Sequence, residues 1–244
     1  VWLSGAGGDY MTDVRFETDV TKTQACAYVQ TIYGTADEIT ATVKTPHGAT
    51  QSFSSSVKKD GRLMLNMAFQ KPDCIDDIHL WTVAHPKLYE TTLQIKKGGK
   101  VLDEIQTYFA FRKVDTQNGR VNINDRPEEL RMVLNQGYFE KSGLTALSPE
   151  NYKEDILLAK KMGFNGMRIH QKAEDPWLYY YADTLGMYLW AETPSAYAFT
   201  PETTKSLLDL QQDLVRSVYN SPGVIAYVPF NESWGVKEIR HDKK

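Results

Sequence analysis

The chain has 244 residues, 41% of them apolar and 24% charged, and a net charge of −3. This is the balance of an ordinary globular protein, and it excludes both the basic excess of a nucleic-acid binder and the acidic tract of a disordered tail. No apolar run reaches the roughly 18 residues that suggest a membrane span, and VWLSGAGGDY at the start lacks the basic-then-apolar order of an intact signal peptide.

Residues 1–114 read as β structure. Period-two alternation runs through 14–20, 25–33, 38–45, 62–69, 89–95 and 101–114. The turn pairs His47-Gly48, Asp60-Gly61 and Gly98-Gly99 fall between these runs. Short strands at such spacing predict an antiparallel sandwich. Cys26 and Cys74 lie in strand-like segments. Two cysteines are too few for a disulfide scaffold or a metal cluster, so both are expected as buried free thiols.

The rhythm changes over 115–244. ELRMVLNQ (129–136) is a strand candidate. The next segment has a helix start at Ser148-Pro149, lysines late, and a stop at Gly163. FNGMRIH (164–170) reads as a strand, DPWLYYYADTLG (175–186) as a helix and MYLWAE (187–192) as a strand. The segment 200–220, opened by Thr200-Pro201, is a long helix, and VIAYVPFN (224–231) is a fourth strand. The strand cores are apolar throughout, as parallel strands covered by helices require. Such alternation gives either an open doubly wound sheet or a (β/α)8 barrel, and in both the functional groups gather at the C-terminal strand ends. No glycine-rich loop follows the first strand, which counts against a nucleotide fold.

The strand ends carry Asn135 and Gln136, then Arg168 and His170, then Trp190 and Glu192, and finally Asn231, Glu232 and Trp234. That set predicts a polar pocket with aromatic walls, suited to the polar edges and C–H faces of a sugar. Some members have structural readings: Arg168 can neutralise a buried Glu192, His170 can be a hydrogen-bonded structural residue, and Trp190 can be core. Glu232 is different, because a carboxylate placed after an apolar strand and beside an Asn has little structural use. The histidines lack metal-ligand spacing, so no metal and no other cofactor is expected.

These residues carry a resemblance to glycoside hydrolase family 2, which includes β-galactosidases, β-glucuronidases and β-mannosidases. Leu80-Trp81, His85-Pro86 and Leu88-Tyr89 resemble the signature near the end of that family's immunoglobulin-like domain. YFAFRKV (108–114) resembles its crossover strand, and GFNGMRIH (163–170), ADTLGMYLWAE (182–192) and NSPGVIAYVPFNES (220–233) follow the barrel in order. The resemblance implies an immunoglobulin-like β-sandwich over 1–114, followed by the N-terminal half of a (β/α)8 TIM barrel, strands one to four, over 115–244. It implies retaining hydrolysis of a terminal β-glycosidic bond, with β-galactoside as the first substrate to test. Glu232 would be the acid/base, and Asn231 would bond the sugar 2-hydroxyl. His170 matches the family's strand-two histidine and would contact substrate, and Arg168 would steady the nucleophile from behind, with Glu192 holding it; Trp234 is expected to line the substrate pocket. The family's short link from this His to a Pro is replaced here by HQKAEDP. The nucleophile would be a Glu on a seventh strand, so the chain reads as a fragment that is inactive alone.

Carbohydrate is the expected partner, without nucleic acid or membrane. A half barrel has open edges on its outer strands, which self-association would cover. A cell that degrades polysaccharide would export such an enzyme, which favours a periplasmic or secreted location over the cytoplasm. Two other readings stand beside this one. Glu192 and Glu232 could themselves be the catalytic pair, or the chain could be a carbohydrate-binding or interaction module without turnover.

Overall fold

The structure, a computed structural model, describes residues 8–69 and 80–232. The chain divides into two compact units. One comprises Val1–Thr82, Lys87–Lys113 and Ile123–Asp125; the other comprises Val83–Pro86, Val114–Asn122 and Arg126–Lys244.

The first unit contains two antiparallel four-stranded sheets. Strands β1 (Met11–Asp19), β2 (Gln24–Thr31), β5 (Val57–Lys59) and β6 (Arg62–Ala68) form one, in the order β1-β2-β6-β5. Strands β3 (Glu38–Lys44), β4 (Thr50–Ser55), β7 (Tyr89–Lys97) and β8 (Lys100–Phe109) form the other, in the order β4-β3-β7-β8. Alternate residues point inward, as period two requires, so Ala27 and Val29 of β2, Leu65 of β6, Ile39 of β3 and Leu93 of β7 share one core. Phe69, Tyr89, Phe109 and Phe111 close that core. Tyr89 stacks on Phe109 with centroids 5.2 Å apart, and Phe69 meets Phe111 edge to face at 5.9 Å.

The predicted strand over 101–114 ends earlier, at Phe109. Phe111 then forms an isolated parallel bridge with Leu80, and the Trp81 N–H donates to the Phe111 carbonyl at 2.9 Å. Strands β4 and β5 are additions to the predicted set. Both lie at sheet edges, where Ser and Lys are tolerated and apolar alternation is not needed. The pairs Asp60-Gly61 and Gly98-Gly99 are two-residue turns with positive φ at both positions, which is the hairpin geometry that fits the twist of the flanking strands. Cys26 is half-buried rather than buried, because its neighbours Ala25 and Ala27 take the inward positions of β2. Cys74 lies outside the described residues.

The next segment forms a three-stranded sheet of β9 (Val114–Gln117), β10 (Arg120–Ile123) and β11 (Arg126–Pro127). These strands are also absent from the predicted set, since four residues or fewer carry too little alternation to register.

After it the second unit alternates strictly: β12 (Met132–Asn135), α1 (Pro149–Lys161), β13 (Gly166–Ile169), α2 (Pro176–Leu185), β14 (Tyr188–Glu192), α3 (Pro201–Val218) and β15 (Val224–Val228). The four strands form one parallel sheet in sequence order. Each helix starts at a capping residue followed by Pro. The Asp175 carboxylate accepts the Trp177 N–H at 2.9 Å, and the Thr200 hydroxyl accepts the Thr203 N–H at 3.2 Å. Helix α2 ends at Gly186, with φ +77°, and the Lys160 ammonium from α1 donates to the Leu185 and Gly186 carbonyls at 2.7 Å each. That amine satisfies helix-end acceptors that would otherwise lack donors, and burial lowers its pKa.

Met167, Ile169, Leu189 and Ala191 pack with Ile156, Leu178, Ala182 and Leu214 of the helices in a single core. By alternation, Arg168, Trp190 and Glu192 take the opposite face of the sheet. The expectation of strands apolar on both faces therefore needs correction. The inner strands β13 and β14 are largely buried, whereas β12 and β15 have one described neighbour each and expose Leu134 and Tyr227.

Asp9 ties down the start of the sandwich. It is 4% exposed, and its carboxylate accepts from the N–H groups of Tyr33, Thr35 and Ala36 and from the hydroxyls of Thr31 and Thr35, at 2.7–3.1 Å. Burial alone would raise its pKa, but these donors outweigh that and hold it at about 2 instead of 3.8. Because the folded value lies below the unfolded one, this stabilisation is complete above about pH 4 and is lost as pH falls toward 2. Asp9→Asn is expected to cost roughly 2 kcal/mol at neutral pH and to remove that acid-sensitive component. Urea unfolding at pH 7 and pH 3 measures both effects, and equal losses at the two pH values would contradict the assignment.

Candidate active site

Three strand ends meet at Arg168. This residue sits on β13, opposite Trp190 of β14 in the parallel register. Its Nε donates to Glu192 Oε2 at 2.7 Å, and one terminal nitrogen donates to Asn231 Oδ1 at 2.7 Å. Glu192 is fully buried, at 0% exposure. Its second oxygen accepts the backbone N–H of Gln171 at 3.1 Å. Both carboxylate oxygens are thus engaged, and the hydrogen bond that Arg168 donates to Glu192 pushes the guanidinium further up from its already high pKa. The reading in which Glu192 is half of a catalytic pair does not fit this arrangement, because a nucleophile needs an oxygen available to the anomeric carbon.

The bond from Arg168 also settles the chemistry of the Asn231 amide. Guanidinium only donates, so the atom facing it is the carbonyl oxygen, and the NH2 group is left to donate elsewhere. Asn231 and Glu232 follow β15 but are not part of it. The strand ends at Val228, and Glu232 adopts a left-handed backbone with φ +54°. Glu232 is exposed, within electrostatic reach of Arg168. The strand predicted over 224–231 ends three residues short of Asn231, so Glu232 does not directly follow the ladder; three residues separate it from Val228, and its side chain is exposed.

His170 stands one position past β13. Its N–H donates to the Asn135 carbonyl at 2.8 Å. Its ring nitrogens face the side-chain amides of Gln136 at 3.3 Å and Gln171 at 3.5 Å. Asn135 turns inward, and its Oδ1 accepts the Gly137 N–H at 2.7 Å. Trp190 is half-buried rather than fully core, and its Nε1 is shielded without an acceptor among the described residues. Trp234 lies outside the described residues.

Several contributors carried no signal in the sequence. Gln171 holds a left-handed φ of +51° while presenting its N–H to Glu192. Lys172 and Glu174 form a shielded ion pair at 2.7 Å. Lys172 also donates to the Gly137 and Leu144 carbonyls, and Glu174 accepts from the Tyr152 hydroxyl at 3.2 Å. The segment HQKAEDP thereby ties the loop after β13 to the loop after β12. At Gly137, with φ +64°, a Cβ would collide with both Lys172 and Glu174. Ser195, in the loop after β14, holds the backbone of Asn231. Nothing but the fold distinguishes these loop residues from ordinary surface polar groups.

A parallel sheet whose C-terminal ends carry guanidinium, carboxylates and an amide, with helices on one face, has the layout of an α/β enzyme. Comparison with known proteins narrows that class. Residues 9–112 match the family model described as "Glycosyl hydrolases family 2". A β-glucuronidase of Bacteroides fragilis is 27% identical over 181 residues, covering 70% of this chain and 26% of its own length. A β-galactosidase of Priestia megaterium is 24% identical over 178 residues, covering 66% of this chain and 17% of its own length. The solved structure of a Ruminococcus gnavus β-glucuronidase in complex with D-glucuronic acid superposes with a TM-score of 0.76 at 23% identity, over 92% of this chain and 37% of that one. The chain is thus similar to members of glycosyl hydrolase family 2, with the family model itself matched over residues 9–112. It spans about a fifth of the length of the curated relatives it matches.

Removing Arg168 would leave the Glu192 charge buried with one backbone donor. Arg168→Met is expected to cost about 3 kcal/mol, and adding Glu192→Leu to recover part of it. Chemical denaturation of both variants tests this. A single variant as stable as the parent would show that the pair is not coupled.

Proposed function

We propose that this chain supplies the proton-donor side of a retaining β-glycosidase, built from an immunoglobulin-like sandwich over 1–114 and strands one to four of a (β/α)8 barrel over 115–244. The observation that carries the proposal is the fork from Arg168 to Glu192 and Asn231. It leaves the Asn231 NH2 group as a fixed donor next to Glu232, which is what binding of a sugar 2-hydroxyl beside an acid/base carboxylate requires.

In this reading Glu232 gives a proton to the glycosidic oxygen as the bond to the anomeric carbon breaks. It then takes a proton from the water that resolves the glycosyl-enzyme. The amide of Asn231 donates to the 2-hydroxyl, a bond that strengthens as positive charge develops on the ring. His170, flanked by Gln136 and Gln171, and Trp234 contact the sugar. The second carboxylate must stand about 5–5.5 Å from the first. Glu192 is engaged at both oxygens, so the nucleophile comes from a part of the enzyme other than the described residues. Relatives several times longer than this chain are consistent with that. The substrate is a terminal β-glycoside. β-Galactoside and β-glucuronide are the two to compare, since both activities stand among the names of the relatives.

Two measurements test the proposal. In the complete protein, Glu232→Gln is expected to lower turnover of an alkyl β-glycoside by about 10²–10⁴-fold; full retained activity would remove Glu232 from the acid/base role. The edges of β12 and β15, which have one strand neighbour each among the described residues, lead us to propose that the 244-residue chain self-associates. Sedimentation should show a dimer or larger species, and a monomer at all concentrations would oppose it.

A further inference from the structure

We infer that Ser195 is a positioning residue for Glu232, an inference that rests on the acid/base reading of that carboxylate. The main-chain ladder between β14 and β15 ends at the pair Glu192 and Val228. Beyond that pair, the hydrogen bonds that hold residues 229–231 among the described residues involve side chains. Gln211 of α3 donates to the Pro229 carbonyl at 2.7 Å. Arg168 holds the Asn231 amide oxygen at 2.7 Å. Ser195 holds the Asn231 backbone on both sides: its hydroxyl accepts the Asn231 N–H at 3.0 Å and donates to the Asn231 carbonyl at 3.3 Å.

One hydroxyl thus takes the place of a strand partner, using its single proton and one lone pair. This grip bears directly on the next residue. Glu232 is a non-glycine residue at φ +54°, a conformation that persists only when its surroundings hold it. The direction of its carboxylate depends on the peptide joining it to Asn231, and the carbonyl of that peptide is the one Ser195 bonds. Arg168 fixes the side chain of Asn231 but not this peptide. Without the Ser195 hydroxyl, Asn231 can keep its amide on Arg168 while the backbone after it relaxes.

The role separates from plain structural support by its leaving-group dependence. Proton donation matters most when the departing alcohol is a poor leaving group. In the complete protein, Ser195→Ala is expected to lower kcat/KM for an alkyl β-glycoside, which reports the step that needs proton donation, by about 10–100-fold, since misplacement of a catalytic group by an ångström has that scale of cost. The kcat/KM of a dinitrophenyl β-glycoside, whose leaving group needs little protonation, should change by no more than about threefold. Ser195→Thr, which keeps the hydroxyl, should restore the alkyl substrate. Loss that is parallel on both substrates, or no loss at all, would overturn the positioning role. Glu232→Gln run in the same assay separates the two claims. If it shows the selective loss and Ser195→Ala does not, only the Ser195 inference falls. If it shows none, the acid/base reading falls and the inference falls with it.

Discussion

The second unit is organised around a carboxylate that water cannot reach. Glu192 is fully buried at the end of β14, and an isolated charge there would cost several kcal/mol. It is tolerated because Arg168 faces it from the adjacent strand and a loop N–H satisfies its other oxygen. Arg168 is less buried than its partner, at 30% side-chain exposure, and its remaining donors reach outward to Asn231. The pair therefore carries a constraint from the sheet interior to the sheet end. Glu192 fixes Arg168, Arg168 fixes an amide, and the amide belongs to the residue before Glu232. Packing of the helices sets this chain of contacts indirectly, by fixing the register that places Arg168 beside Trp190.

Beyond the strand ends, regular hydrogen bonding stops and side chains take over. Gln171 and Glu232 both adopt left-handed backbone conformations that cost a residue with a Cβ about 1 kcal/mol or more. Both sit where a chain leaves the sheet beside the Arg168 cluster, and both adjoin a residue whose functional groups are held. Glycine at these points would be cheaper in the folded state but would loosen the unfolded and folded chain alike. Strain that is held by named contacts is a sign that direction matters more than local stability at these two positions.

The alternating half was legible in its sequence because each boundary has a local chemical cause. Asp175-Pro176 and Thr200-Pro201 start helices, Gly163 and Gly186 stop them, and the strands between are short apolar runs. The gathering of Arg168, Glu192 and Asn231 followed from the rule that parallel strands present their ends together. What escaped was of two kinds. Edge strands such as β4 and β5 bury little, so their sequences carry no hydrophobic pattern to read. Loop contacts such as Lys172 with Glu174, or Ser195 with Asn231, join residues whose proximity is created by the fold and by nothing in their spacing. Cys26 shows a smaller version of the same limit: its residue type suggests burial, but strand parity places it outward.

The amide of Asn231 shows how far geometry can carry chemistry without a bound ligand. An Asn in isolation is ambiguous, able to donate or accept, and its two terminal atoms are hard to tell apart. Beside a guanidinium the ambiguity disappears. The oxygen is committed to Arg168, so the face turned away from the sheet is a pure donor, and a partner there must offer an acceptor. A sugar hydroxyl does so, and its own O–H can donate a hydrogen bond to a neighbouring carboxylate, whereas an ammonium or guanidinium group has no acceptor to offer. The polarity of the site is thus set from behind, by an arginine whose own position is dictated by a buried charge.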